Sequence, residues 1–169
     1  MRKLAWMTMV SLAVVLVGSI AVAQEERAYP FEGRVTLAAD VDRLFGEDSG
    51  KQIQNVWGYS VTLGYFVSPN FDIAATFADW EGRGAMWSGK IRYWFITGAE
   101  RPNPTFYVGA EVGRTTNLPS NATVWGVHAG VDWLITSKVS VYGELSWRHA
   151  GGDVDQDKWT IGVGVRTSF

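Results

Sequence analysis

Val56-Trp57-Gly58-Tyr59-Ser60-Val61-Thr62-Leu63-Gly64-Tyr65-Phe66 is the stretch that decides the fold. Trp57, Tyr59, Val61, Leu63 and Tyr65 take alternate positions, and Gly58, Ser60, Thr62 and Gly64 fill the positions between. A period of two sorts large apolar groups onto one face of an extended chain and small or polar groups onto the other. A helix would scatter the same residues around its axis, and its two interior glycines would weaken it further. A tilted strand of about ten such residues is long enough to cross a bilayer.

The pattern recurs on both sides of this segment. Over residues 31–41, Gly33, Val35, Leu37, Ala39 and Val41 oppose Glu32, Arg34, Thr36 and Asp40. Over 71–79, Phe71, Ile73, Ala75 and Phe77 oppose Asp72, Ala74 and Thr76. Over 85–95, Trp87, Ile91, Tyr93 and Phe95 oppose Ser88, Lys90 and Arg92, and over 105–113, Phe106, Val108, Ala110 and Val112 oppose Tyr107 and Glu111. Over 123–134, Trp125, Val127, Ala129, Val131 and Trp133 oppose Gly126, His128 and Asp132. Over 139–148, Val139, Val141, Leu145 and Trp147 oppose Ser140, Tyr142, Glu144 and Arg148. Over 158–169, Trp159, Ile161, Val163 and Val165 oppose Thr160, Gly162, Gly164 and Arg166. The total is eight strands, an even number, as in single-chain bacterial barrels.

The connections alternate in character. Ser68-Pro69-Asn70 and Thr136-Ser137-Lys138 read as tight turns, whereas Asp42–Gln52, Glu81–Gly84, Thr115–Asn121 and Gly151–Asp157 read as polar loops. Thr97–Pro104 is long for a connection on the turn side. With strand directions alternating, Trp57, Trp87, Trp125, Trp147 and Trp159 fall towards the loop end. Tyr65, Phe71, Tyr93, Phe95, Phe106, Trp133 and Phe169 fall towards the turn end, with Phe31. Two aromatic belts enclosing an aliphatic band are the lipid-facing signature of a transmembrane barrel. A water-soluble ligand-binding barrel would turn its apolar faces inward instead.

Length and composition fit this reading. The chain has 169 residues, enough for one domain, with 47% apolar and 14% aromatic residues, nine Trp and no Cys. The absence of Cys excludes disulfides, thiolate metal sites and a lipid-modified N-terminal Cys. Residues 1–23 carry Arg2 and Lys3 and no acid, so the remaining chain holds 13 basic and 17 acidic residues, a net −4. No basic patch marks a nucleic-acid partner.

At the N-terminus, Arg2 and Lys3 precede an apolar run from Leu4 to about Ile20. Ala21-Val22-Ala23 then offers a small-x-small cleavage site ahead of Gln24-Glu25-Glu26. The run is slightly short for a membrane anchor. The expectation is a signal peptide over 1–23 and a barrel domain over 24–169. The fold class expected is all-β, an eight-stranded antiparallel up-and-down transmembrane β-barrel after a cleaved N-terminal signal peptide.

Residues 29–169 resemble the small eight-stranded outer-membrane barrel proteins of the OmpX, Ail and OmpA-barrel type. The most specific element is the C-terminal run Gly162-Val163-Gly164-Val165-Arg166-Thr167-Ser168-Phe169. Members of this group end on an aromatic residue, with an apolar residue two before it and a Gly five before it. Gly164 and Phe169 match; Thr167 departs from the larger apolar residue usual there. The resemblance implies that Gly164 and Phe169 form a signal read by the outer-membrane assembly machinery. The turn Val67-Ser68-Pro69-Asn70-Phe71-Asp72 also looks like the periplasmic turns of these barrels.

Chemistry gathers on the inward faces. Glu32, Arg34, Asp40, Asp72, Lys90, Arg92, Glu111, His128, Asp132, Glu144, Arg148 and Arg166 all point inside by parity. An eight-stranded barrel is just wide enough for side chains to fill it, and buried charges must pair. The expectation is a polar network of Lys90, Arg92, Glu111, His128, Asp132, Glu144, Arg148 and Arg166. The chain also resembles lipid A deacylase barrels in length and strand count, but His128-Ala129-Gly130 lacks the serine of their His-x-Ser motif. His149 with Asp153, Asp155 and Asp157 does not complete a calcium loop. No enzyme activity, cofactor or metal is expected.

The functional expectation is a monomeric structural or surface-interaction barrel, exported to the bacterial outer membrane. It would contact lipid and lipopolysaccharide, and an extracellular ligand through Val41–Gln52 and Gly151–Asp157. A narrow pore for ions or small solutes is the alternative, with a lipid-modifying enzyme behind it.

Overall fold

The computed structural model describes residues 33–48, 51–82, 84–96, 103–116, 122–151 and 156–169. The expected signal peptide, Phe31, Glu32 and parts of the connections (97–102, 117–121 and 152–155) lie outside the described residues.

Eight strands follow one another: β1 (Val35–Asp48), β2 (Lys51–Ser68), β3 (Phe71–Trp80), β4 (Gly84–Trp94), β5 (Thr105–Thr116), β6 (Thr123–Leu134), β7 (Val139–Gly151) and β8 (Gln156–Ser168). Each pairs antiparallel with its chain neighbours, and β1 closes onto β8, so the sheet is an up-and-down barrel with no free edge. Closure satisfies every strand's backbone groups within the sheet, which an apolar surrounding demands. Among the described residues no helix is long and apolar enough to cross a membrane.

The alternation sorts as the sequence implies. Trp57, Leu63, Ile73, Trp87, Ile91, Phe106, Val112, Trp125, Val127 and Val163 stand exposed on the outer wall. Thr62, Asp72, Ser88, Lys90, Arg92, Glu111, His128, Asp132, Ser146, Arg148 and Arg166 are buried inside. The aromatic belts pair ring on ring. Phe77 meets Trp87 at 4.6 Å and Trp125 meets Trp147 at 5.2 Å near the loop end. At the turn end, Tyr93 contacts Phe71 at 5.0 Å and Phe95 at 5.2 Å.

The first connection corrects the expectation of a loop over Asp42–Gln52. The ladder continues through Gly46↔Ile53 and Glu47↔Gln52 to Asp48↔Lys51, after a register shift between Leu44 and Gly46. Most of that segment is therefore a β-ribbon. Its outward and inward residues still alternate (Arg43 exposed, Leu44 buried), so polarity in this hairpin marked its environment, not loss of extended structure. Likewise Thr115 and Thr116 belong to β5, and Gly151, Gln156 and Asp157 belong to β7 and β8.

The turn end is fastened by side chains. Asn70 donates from Nδ2 to the carbonyls of Trp94 (2.8 Å) and Ile96 (2.9 Å). Asn103 accepts from the Leu134 N–H at 3.0 Å and donates to its carbonyl at 3.1 Å, imitating one ladder rung.

Candidate functional site

The interior is built in layers. Its polar groups are flanked by two clusters of apolar side chains, of which the sequence reading had placed only Tyr107 on the inward face. Leu44, Ala78, Trp80, Met86, Ala122, Val124 and Ala150 form a buried cluster near the loop end. Phe66, Trp94, Ile96 and Tyr107 form another at the turn end, where the Trp94 ring lies 5.4 Å from Phe66 and 4.6 Å from Tyr107. Of the strand residues in these clusters, all occupy the inward parity of their strands. The signal was therefore present as apolar residues in the polar register.

Four ion pairs hold the described middle together. Arg92 donates from Nε to Asp72 Oδ1 at 2.8 Å and from Nη2 to Oδ2 at 2.6 Å. Arg166 pairs with Asp132, and its guanidinium stacks over Tyr142 at 4.5 Å and Trp94 at 4.8 Å. Lys90 Nζ meets Glu144 Oε1 at 2.8 Å, while Tyr107 donates its hydroxyl to Glu144 Oε2 at 2.9 Å. Arg148 pairs with Glu111 and also donates to Thr160, and Ser88 adds a hydroxyl to Glu111 at 3.2 Å. These pairs offset the cost of removing charges from water only because each is supported by further hydrogen bonds or ring faces.

Seven of the eight network residues read from sequence thus join in pairs, and Asp72 completes the fourth pair. His128 is buried among them, but neither ring nitrogen has a hydrogen-bond partner. Asp40, Asp42, Tyr107 and Tyr142 belong to the same interior. Asp40 accepts from Ser60 at 2.6 Å and from the Tyr142 hydroxyl.

The inward glycines are the counterpart of these large groups. A Cβ on Gly130 would lie 2.3 Å from the Tyr107 ring, one on Gly109 2.4 Å from His128 Nε2, and one on Gly162 2.4 Å from Asp42 Oδ1. Each of these glycines leaves room for a bulky inward neighbour in a narrow bore. Gly164 does this for Asp40, whose Cβ would stand 2.6 Å from a Cβ at position 164. Phe169, half exposed, ends the outward series of β8, and its N–H donates to the Val35 carbonyl at 2.9 Å. Thr167 is in the same series yet only 1% exposed, and its hydroxyl has no partner.

Among the described residues no three His, Cys, Asp or Glu side chains are placed to hold a metal ion. Asp153 and Asp155 lie outside them. His149 and Asp157 meet at 3.0 Å on the outer rim of β7 and β8.

No family model matches the chain, and no curated protein matches it. Solved structures do. Neisserial surface protein A (NspA) superposes with a TM-score of 0.62 at 16% identity, covering 82% of this chain and 100% of that one. The N-terminal β-barrel domain of Pseudomonas aeruginosa OprF gives 0.60 at 20% identity, covering 82% and 98%. Ail, the attachment invasion locus protein of Yersinia pestis, gives 0.50 at 14% identity, covering 80% and 99%. This chain has the fold of the small eight-stranded outer-membrane barrels. At these identities the likeness is one of architecture.

Proposed function

We propose that the chain is a bacterial outer-membrane barrel whose work is done on its surfaces and not through its bore. The observation that carries this is the filled interior: Lys90–Glu144 and Arg148–Glu111 lie between an apolar cluster around Trp80 and Met86 and a turn-end layer in which Arg92–Asp72 and Arg166–Asp132 pack against Trp94 and Tyr107. A conducting path needs a continuous polar lumen, and an apolar constriction resists wetting. The arrangement therefore supports a structural or surface-interaction role over a narrow pore. The neighbours NspA and Ail, a surface protein and an attachment invasion locus protein by name, support the same reading.

In this reading residues 1–23 export the chain, and Gly164 and Phe169 present the last strand to the assembly machinery. The barrel works as a monomer without a cofactor or catalytic set. Its contacts with a surface ligand are the β1–β2 ribbon over Val41–Gln52 and the rim over Gly151–Asp157. Within this ribbon β1 leaves its ladder with β8 at Gly46↔Lys158, while its pairing with β2 runs on to Asp48↔Lys51.

The test is electrical and adhesive. The purified barrel, folded into planar bilayers, is expected to stay silent, and discrete conductance steps from the unaltered protein would overturn the surface reading. Replacing Glu47–Gln52 by a two-residue turn is expected to abolish attachment of expressing cells to a surface they otherwise bind, with heat-modifiable folding retained.

A further inference from the structure

The outer wall carries a depression that the structural role does not explain. It has a volume of about 560 Å³ and lies over β5 and β6. Val108 and Ala110 of β5 and Val127 and Ala129 of β6 line its middle, with Ile91 and Tyr93 on one side and Leu145 and Trp147 on the other. The register makes it: Ala110 stands between Ile91 and Val127, and Ala129 between Val108 and Leu145, so two small outward residues sit diagonally on adjacent strands among larger ones. Tyr93 belongs to the turn-end belt and Trp147 to the loop-end belt, so the depression lies in the hydrocarbon band between them.

A second observation stands above it on the same strand. Outward positions on β5 run Ala110, Val112, Arg114 towards the loop end. Arg114 lies about 13 Å beyond Ala110, at ~3.3 Å per residue. It is exposed, and its cross-strand partners are Trp87 and Thr123, beside Trp125. Arg114 is level with Trp87 in the ladder and one outward position past Val112, the partner of Trp125, so it stands at the loop-end belt, where lipid headgroups begin. Among the described residues no carboxylate is paired with it. The outward carboxylates of Asp79, on β3, and Asp157, on β8, are engaged by the Tyr59 hydroxyl at 3.3 Å and by His149 at 3.0 Å.

We propose that this depression and Arg114 form one docking site for a phosphorylated, acylated lipid of the outer leaflet. An acyl chain lies over Ala110 and Ala129, and its phosphate meets the Arg114 guanidinium between Trp87 and Trp125. An acyl chain suits the depression because it needs no hydrogen-bond partner and the site sits where hydrocarbon is the solvent. A guanidinium at the belt selects phosphate through paired, charge-assisted hydrogen bonds. The inference rests on the outer-membrane reading above and deepens it by placing the lipid contact.

The experiment uses the full barrel purified in zwitterionic detergent and offered phosphorylated lipid A or its dephosphorylated form, with bound lipid counted by native mass spectrometry. One phosphorylated lipid is expected to remain per barrel, and the dephosphorylated form to bind about tenfold more weakly. Arg114→Gln should abolish that selectivity, and Ala129→Leu should reduce retention of both forms by filling the depression. Lys138→Gln, which removes a cation in the β6–β7 turn at the opposite end of the barrel, should change nothing. Equal retention of the two lipids by the unaltered barrel, or unaltered selectivity in Arg114→Gln, would overturn the site. So would a dimer cross-linked through positions 110 and 129. A barrel that folds, inserts and retains no lipid overturns the site and leaves the outer-membrane reading standing. A chain that inserts into no bilayer overturns both.

Discussion

Arg92 and Asp72 face each other as cross-strand partners on β4 and β3 and close a two-armed fork at 2.6–3.1 Å inside the barrel. Both side chains are buried, so neither charge can fall back on water. Removing one of them leaves the other uncompensated, which costs about 3–5 kcal/mol, whereas replacing both by apolar groups costs far less. Asp72→Leu is therefore expected to lower the stability of the folded barrel by that amount. Asp72→Leu with Arg92→Leu should recover most of it. Urea titration, followed by the mobility of unheated samples on gels, measures both. Equal loss in the single and double variants would show that the fork contributes through packing and not through charge.

Gly64 on β2 makes that fork possible. A Cβ there would stand 2.5 Å from Thr36 Oγ1, 3.1 Å from Arg92 Nη2 and 3.4 Å from Asp72 Oδ2. Gly89 is a natural control, because a Cβ on it meets nothing within 4 Å. Gly64→Ala is expected to destabilise by about 1–3 kcal/mol through overpacking. Gly89→Ala should be neutral or slightly stabilising, since alanine loses less backbone entropy on folding. The two urea midpoints, measured side by side, decide the matter, and a shared loss would point to strand propensity instead of space.

Much of this was legible from the sequence, and the rest was hidden for a physical reason. Alternation at Trp57, Val61 and Leu63 against Gly58, Ser60 and Thr62 fixes which face each residue takes, because a strand offers only two. It therefore yields Lys90, Arg92 and Glu144 as inward groups. It does not yield partners. Lys90 lies directly across from Glu111 in the ladder yet bonds Glu144 on β7, across the bore. Glu111 instead takes Arg148, also from β7. Such pairings depend on the stagger of the closed barrel, a property of all eight strands together. The apolar ends of the interior escaped for another reason. Trp80 and Trp94 look like belt residues by composition, and only their inward register places them in the bore. The Asp42–Gln52 hairpin escaped because a charged ribbon above the membrane has the composition of a loop.

Glu144 gathers donors from three different side chains. It accepts from Lys90 Nζ at 2.8 Å, Tyr107 Oη at 2.9 Å and Ser146 Oγ at 3.3 Å. Glu144→Gln keeps the shape but removes the charge that neutralises Lys90. A loss of about 3–5 kcal/mol is expected, as for one half of a buried pair. Tyr107→Phe removes a single donor and leaves Glu144 its other two, so its cost should be nearer about 1 kcal/mol. Chemical denaturation of the two variants checks the order. A larger loss for Tyr107→Phe would mean that the Tyr107 hydroxyl, not Lys90, governs this carboxylate.

His128 is the exception within the network, and that makes its substitution informative. It is buried, its ring lies 6.4 Å from that of Tyr107, and neither Nδ1 nor Nε2 has a partner. A buried polar group without a partner retains the cost of leaving water, roughly 1–3 kcal/mol. His128→Leu removes that cost and keeps side-chain bulk over Gly109, where a Cβ would already crowd the imidazole at 2.4 Å. The variant is expected to be as stable as the parent barrel or up to about 2 kcal/mol more so. It should remain silent in planar bilayers, because the apolar groups at both ends of the bore are untouched. If His128→Leu is instead clearly destabilised, the ring nitrogens are satisfied by enclosed water. The interior would then hold a hydrated pocket beside Lys90 and Glu144, and variants that enlarge it, such as Tyr107→Ala, become the place to look for conduction.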